Sequence, residues 1–369
     1  MTTADASVHA DRLARLAAAA PDGTAVIVGP GGDLRWLLGF SNPSFERLTC
    51  LVVPPGRRPT LVVPALERPG WDGVDLDGMG VDAETWRDGD DPHALVASLL
   101  DGPARILTDD YFAARHLLGI AAGSGAEAGL ADTVLSDLRM RKSPAEVDAL
   151  AEVAAAIDRV QRRVGEWLRA GRTEEDVAAD IAAAIVEEGH ERPDFVIVGS
   201  GPNGASPHHD ASGRIIRPGD AVVVDIGGPA PSGYNSDCTR TFVVAGEQDP
   251  EFARVHDTVR RAQQAGVDAV RPGATAESVD AAAFAVVEEA GYGDRVLSRT
   301  GHGIGLEVHE QPYIVRGNAT VLEPGMTFSV EPGIYLPGRF GVRIEDIVVV
   351  TEDGVRRLNT APHELVTVG

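Results

Sequence analysis

Positive charge is scarce in this chain: 33 Lys and Arg face 56 Asp and Glu, a net charge of −23. A nucleic-acid backbone or an anionic membrane surface repels such a protein, and no basic stripe interrupts the acidity, so neither is expected as a partner. Cysteine is scarcer still. Cys50 and Cys238 stand far apart, which predicts two buried free thiols in a reducing compartment and no disulfide framework. Long hydrophobic runs are missing, and nothing approaches the roughly 18 apolar residues of a membrane span. The first fifteen residues lack the basic start and apolar centre of a secretory leader. A cytoplasmic protein is the expectation.

What remains is ordinary globular material. With 369 residues, 43% hydrophobic and 24% charged, the chain is long enough for two domains, each with its own core. Over the first 130-odd residues short strand-like stretches (25–29, 51–54, 60–63) alternate with helical ones (93–100, 111–118), and the Gly- and Ala-rich stretch 123–129 reads as a loop. Then the character changes. Ser143-Pro144-Ala145-Glu146 is a helix start, with a cap residue, a proline in the first helical position and Glu at the third. Apolar residues recur with helical period from Val147 to Leu168. Thr173-Glu174-Glu175-Asp176 opens another helix, its acids suited to the positive N-terminal end. After Pro193 the pattern is mostly β (195–198, 221–226, 239–244, 327–331, 342–350), broken by two helices over 252–270 and 276–291. Helices interrupting largely antiparallel strands predict an α+β architecture. The domain boundary is placed at 137, giving domains 1–137 and 138–369.

Several familiar motifs fail. The stretch 73–84 has acids at calcium-loop offsets but begins with Gly73, where the loop needs an acid. The Gly-rich run 199–204 has no Lys-Ser/Thr ending, so it does not cradle phosphate. No Gly-x-Ser-x-Gly elbow occurs, and His309-Glu310 has no second His four residues on to make a zinc-protease helix.

Carboxylates are the anomaly. Asp225 ends the apolar run Val222-Val223-Val224, and Asp237 shares a strand face with Thr239 and Thr241. Glu331 shares one with Ser329 and Thr327, and in the strand 342–350 Glu345 shares one with Arg343. Burying a lone carboxylate costs on the order of several kcal/mol, so four in β-core surroundings require cations. Arg343 neutralises one at most. Divalent metal ions are the expected remainder, and oxygen-rich ligation completed by His302, in Gly301-His302-Gly303-Ile304-Gly305, favours a Mn²⁺-like ion.

These segments belong to four motifs: Asp-Ile-Gly-Gly…Asn-Ser-Asp-Cys-Thr-Arg-Thr-Phe, Gly-His-Gly-Ile-Gly-Leu-Glu-Val-His-Glu, Ser-Val-Glu-Pro-Gly-Ile-Tyr and Val-Arg-Ile-Glu-Asp. In this order they resemble the M24 metallopeptidases, and within them the Xaa-Pro peptidases, prolidase and aminopeptidase P. The resemblance covers residues 138–369. It implies a pita-bread α+β catalytic domain behind a smaller α/β N-terminal domain. It also implies two divalent ions, manganese first and cobalt or zinc as alternatives, held by Asp225, Asp237, His302, Glu331 and Glu345, with Asp237 and Glu345 bridging. His208 matches a substrate-contacting histidine, with His209 its rival should the alignment slip by one. His309 matches a second such histidine, Arg343 a site-bordering arginine, and Glu331 doubles as a proton relay. For a dipeptide substrate, His309 and Arg343 would face the free carboxylate. Two departures stand out: the turn between Asp225 and Asp237 is one residue longer than usual, and Ser298 replaces a customary histidine four residues before His302.

The activity implied is hydrolysis of the bond between an N-terminal residue and proline, in dipeptides first and, alternatively, in longer peptides. Small proline-containing peptides and a second copy of the chain, as a homodimer, are the partners it implies. A non-catalytic binding protein on the same fold is the competing class, disfavoured because all five ligand positions are intact; a creatinase-like amidinohydrolase is disfavoured on the same ground.

Overall fold

The computed structural model describes residues 3–42, 46–100, 102 and 105–369. They form two compact units, Met1–Arg139 and Met140–Gly369.

In the first unit the chain runs α1 (Thr3–Ala19), β1 (Thr24–Val28), α2 (Gly32–Leu38), β2 (Cys50–Val53), β3 (Thr60–Pro64) and β4 (Asp82–Trp86). It continues α3 (Pro92–Leu100), β5 (Arg105–Thr108), α4 (Ala114–Ser124), β6 (Glu127–Leu130) and α5 (Asp132–Met140). One mixed sheet, ordered β4-β3-β2-β1-β5-β6, carries the unit, and Ile27, Val52, Val62 and Ile106 of its strands are buried in a core with Val96 and Leu100 of α3. The stretch 123–129, expected as a loop, is instead the end of α4, a left-handed Gly125 and the start of edge strand β6. That strand is mostly exposed and pairs on one side only, so it has no hydrophobic alternation to announce it.

The second unit opens with α6 (Pro144–Trp167), α7 (Glu174–Glu187), β7 (Phe195–Ser200), β8 (Ala221–Pro229) and β9 (Asn235–Val244). A second succession follows: α8 (Phe252–Ala269), α9 (Ala276–Glu289), β10 (Gly301–Gly303), β11 (Glu310–Ile314), β12 (Thr327–Val330), β13 (Gly333–Leu336), β14 (Phe340–Arg343), β15 (Asp346–Val350), β16 (Val355–Arg357) and β17 (Val366–Val368). The strands sort into a sheet β17-β9-β8-β7, a sheet β11-β10-β12-β15-β16 and a hairpin β13-β14. Each larger sheet thus has its own preceding helix pair.

The capping box of α6 forms as its sequence dictates: Glu146 N donates to Ser143 Oγ, and Ser143 N donates to Glu146 Oε2 at 2.7 Å. Its stripe Ile157, Val160 and Val164 is buried against Val222, Val224 and Ile226 of β8. In the other half, Val267 of α8 and Val279 of α9 enclose Phe328 and Val348. Because β8 and β9 are buried along their whole length, any acid on them is taken out of water. Cys50 and Cys238 are both free and buried.

Candidate metal centre

The β8–β9 register sets the first two acids. Asp225 lies opposite Thr239, and Asp237 lies opposite Gly227. Asp225, Asp237 and Thr239 therefore share one face of the pair.

His302 occupies the middle of β10, and its flanking glycines are there for space. A Cβ on Gly301 would fall 1.9 Å from the Ser329 carbonyl oxygen, and one on Gly303 would fall 2.2 Å from that of Gln311. Only glycine lets neighbouring backbone close on the histidine from both sides. Glu331 follows directly after β12. Glu345 departs from expectation: 342–350 is not one strand but two, β14 paired with β13 and β15 paired with β12. Ile344 and Glu345 span the change of partner, and the Glu345 amide donates to the Thr239 carbonyl at 3.1 Å. Strand alternation thus does not place Glu345; a crossing between sheets does.

These elements bring the acids together. His302 Nε2 is 3.2 Å from Glu331 Oε1 and 3.5 Å from Asp237 Oδ2. Asp237, His302 and Glu345 each offer a ligand atom within 4.8 Å of the others. Thr239 Oγ1 donates to Glu345 Oε2 at 2.6 Å, and Ser329 Oγ donates to Glu331 Oε1 at 3.1 Å. Among the described residues, the one cation paired with an acid of the cluster through its guanidinium is Arg343. Its Nη2 donates to Asp225 Oδ2 at 2.6 Å and to the Pro207 carbonyl at 3.2 Å, its Nη1 to the Tyr335 hydroxyl at 2.8 Å, and its Nε to Thr239 Oγ1 at 3.2 Å. This buried arginine orients Asp225.

Four carboxylates against one guanidinium leave negative charge uncompensated. Burial, reinforced by the neighbouring acids, pushes Asp237 and Glu345 well above the usual carboxylate range. Burial opposes charge on Glu331 too, but the His302 ring, with Arg343 and Ser329, holds that carboxyl low. Two buried oxygens, Asp225 Oδ1 and Glu345 Oε1, accept no hydrogen bond; each such orphan costs about 1–3 kcal/mol. Acceptor-only oxygens left idle around one imidazole are the donor set of a hard divalent cation, and the residues present fit one.

The cluster opens into a cavity of about 950 Å³ whose wall includes His208, His309, Ser298 and Arg299. The His309 ring stands edge-on to His302, centroids 4.2 Å apart. The two adjacent histidines divide: His208 lines the cavity, whereas His209 Nε2 lies 2.8 Å from the buried carboxylate of Glu174. Glu174, expected merely to suit a helix end, also accepts from Ser200, Asn203 and Ser212. Sequence reasoning also passed over Thr239 as the residue that seats Glu345, although its place on Asp237's face was visible, and over Arg299, beside the anomalous Ser298.

Comparison with known proteins agrees with this chemistry. Residues 148–352 match Metallopeptidase family M24. The chain is 53% identical over 367 residues to a probable dipeptidase PepE of Mycobacterium tuberculosis, covering 99% of this chain and 98% of that one. It is 34% identical over 342 residues to an Xaa-Pro dipeptidase of Lactobacillus helveticus, covering 90% and 91%. The crystal structure of dipeptidase PepE from Mycobacterium ulcerans superposes with a TM-score of 0.94 at 53% identity, covering 99% of each chain. The α+β second unit has the pita-bread architecture of these peptidases. With the family matched over more than half its length, and a buried Asp/His/Glu cluster compatible with metal binding, this chain is a hydrolase belonging to metallopeptidase family M24.

Proposed function

We propose that this protein is an Xaa-Pro dipeptidase that uses two divalent metal ions, with residues 140–369 as its catalytic domain and the preceding unit as its N-terminal domain. The observation that carries the reading is the convergence of buried Asp225, Asp237, His302 and Glu345 with half-buried Glu331, two of the carboxylate oxygens being unpartnered. Relatives named Xaa-Pro dipeptidase or dipeptidase over nearly the full chain support the substrate class.

When bound, divalent ions supply the positive charge that polarises a carbonyl oxygen and makes water acidic enough to yield its proton near neutral pH. Everything else falls to the chain. Asp225, Asp237, His302, Glu331 and Glu345 would hold the ions. Arg343 fixes Asp225, Thr239 fixes Glu345 and Ser329 fixes Glu331, so the ligands are oriented before substrate arrives. Glu331 Oε1, beside His302 and at the cavity floor, takes the proton from water and passes it to the departing proline nitrogen. His208 and His309 donate hydrogen bonds to the substrate around the scissile bond. The bond before proline has no N–H to offer a recognition site, so carbonyl polarisation and ring shape do the selecting.

Manganese as the resident metal, a homodimer, and a cytoplasmic setting belong to the same reading. The test is kcat/KM for Leu-Pro, Leu-Ala and Leu-Pro-Gly with Mn²⁺-loaded protein. Leu-Pro should exceed both others by at least about tenfold, ~1.4 kcal/mol in the barrier. Equal or better cleavage of the tripeptide would move the protein to the aminopeptidase P class. No hydrolysis of any would leave a binding protein.

A further inference from the structure

The cavity is strongly acidic. Besides the four carboxylates of the metal cluster, Asp210 lines it, and the two arginines on its wall are Arg299 and Arg343. Arg343 is paired with Asp225. Arg299 has no carboxylate within ion-pairing distance among the described residues; its guanidinium lies over the ring of Tyr313, 4.4 Å from the centroid. The stacking fixes the plane of the fork and leaves its edge, where the N–H donors are, unspent. Next to it, half-buried Ser298 lines the same cavity, and its Oγ, shielded from solvent, has no hydrogen-bond partner. A hydroxyl hidden from water without a partner costs about 1–3 kcal/mol, a cost removed when a ligand acceptor arrives.

The geometry points to Ser298 and Arg299 as the subsite that binds the free C-terminal carboxylate of a dipeptide substrate, and so as the residues that measure substrate length. This rests on the dipeptidase reading above. With ions compensating the acids of the metal cluster, Arg299 is, among the described residues, the cation of the cavity wall that stands outside that cluster with no carboxylate of its own, and so the one a substrate carboxylate can pair with. A planar guanidinium with an adjacent hydroxyl matches the two oxygens of a carboxylate, the fork by paired N–H donors and the serine by its rotatable O–H. Extending the peptide by one residue carries the charge about 3.3–3.6 Å further along the chain and puts a neutral amide at the subsite instead.

The experiment pairs Leu-Pro with Leu-prolinamide, which differs only in the terminal charge, and measures both on the metal-loaded wild type, Arg299→Met, Arg299→Lys and Ser298→Ala. Calorimetric binding of L-proline against prolinamide is the second readout. Arg299→Met should raise KM for Leu-Pro about 10- to 150-fold, the range of a charged hydrogen bond, while kcat/KM for the amide stays level. Arg299→Lys should restore part of the loss, as a point charge without the fork. Ser298→Ala should show a smaller loss, again confined to the acid, and proline binding should weaken in parallel.

Equal losses on acid and amide would overturn the assignment and reduce Arg299 to a prop for Tyr313. Should Arg299→Met fail to fold by circular dichroism, the acid-to-amide ratios of Arg299→Lys and Ser298→Ala decide alone. Should the wild type ignore Leu-Pro yet cleave another dipeptide, the Xaa-Pro reading falls, while that dipeptide and its amide still test the subsite. If it cleaves none, the proline titration does.

Discussion

Replacing Glu345 by Gln keeps the volume of the side chain and its contact with Thr239 Oγ1, and removes one of four buried negative charges. The consequence depends on whether cations are present. In the metal-free protein, Glu345 and Asp237 are both held above the ordinary carboxylate range, first by burial and then by neighbouring acids, Glu331 and Asp225 for Glu345 and chiefly Glu345 for Asp237. The folded state then keeps protons that the unfolded chain has released. Wild-type stability is therefore fullest below the usual carboxylate pKa of about 4 and falls as pH rises through the elevated folded values. Glu345→Gln removes one such group, so in chelator the variant should match wild type at low pH and surpass it at pH 8. In metal the order reverses. A cation at 100 times its Kd stabilises the native state by about 2.7 kcal/mol. In a unit of this size each kcal/mol moves Tm by about 2–4 °C, so forfeiting one site lowers Tm by about 5–11 °C. Thermal unfolding at pH 8, with EDTA or Mn²⁺, reads both effects. A variant that gains as much from Mn²⁺ as wild type, or is the weaker protein in both buffers, would refute the charge argument.

Two further substitutions separate neighbouring roles. His208→Ala should lower kcat by roughly 10²–10⁴, the range of a positioned proton donor or acceptor, with metal content by elemental analysis unchanged, whereas His209→Ala should spare kcat and lower Tm because it strips a partner from buried Glu174. Arg343→Met should cost about 3–5 kcal/mol of stability, since it leaves the Asp225 carboxylate buried and unpaired; chemical denaturation measures it, and an unchanged midpoint would show that Asp225 does not depend on that arginine.

Local chemistry was legible wherever sequence neighbours settle it. The capping box at Ser143 and the apolar stripe of α6 are statements about residues three and four apart. Asp225 at the end of an apolar run, and Asp237, Thr239 and Thr241 on one face of β9, follow from period two alone. The close-packed glycines beside His302 could be read as a crowded backbone because no other residue type serves there. What escaped is decided at a distance. The break at Ile344-Glu345 exists because β14 and β15 have different partners, and no residue within the stretch signals it. Glu174 looks like any acid opening a helix; its burial comes from Ser200, Asn203, His209 and Ser212, 26 to 38 residues on. Helix α1 is Ala-rich, and β6 is an edge strand without alternation. The partners of Arg343 were likewise invisible: only the fold brings it to Asp225 and to the Tyr335 hydroxyl.

The account stands on one claim, that the acidic cluster is a hydrolytic centre only when cations fill it. The direct measurement is Leu-Pro hydrolysis by exhaustively chelated protein, titrated with Mn²⁺ while bound metal is counted by elemental analysis. The rate should rise from background in step with occupancy and level off at two ions per chain. Undiminished turnover by protein shown to be metal-free would contradict it.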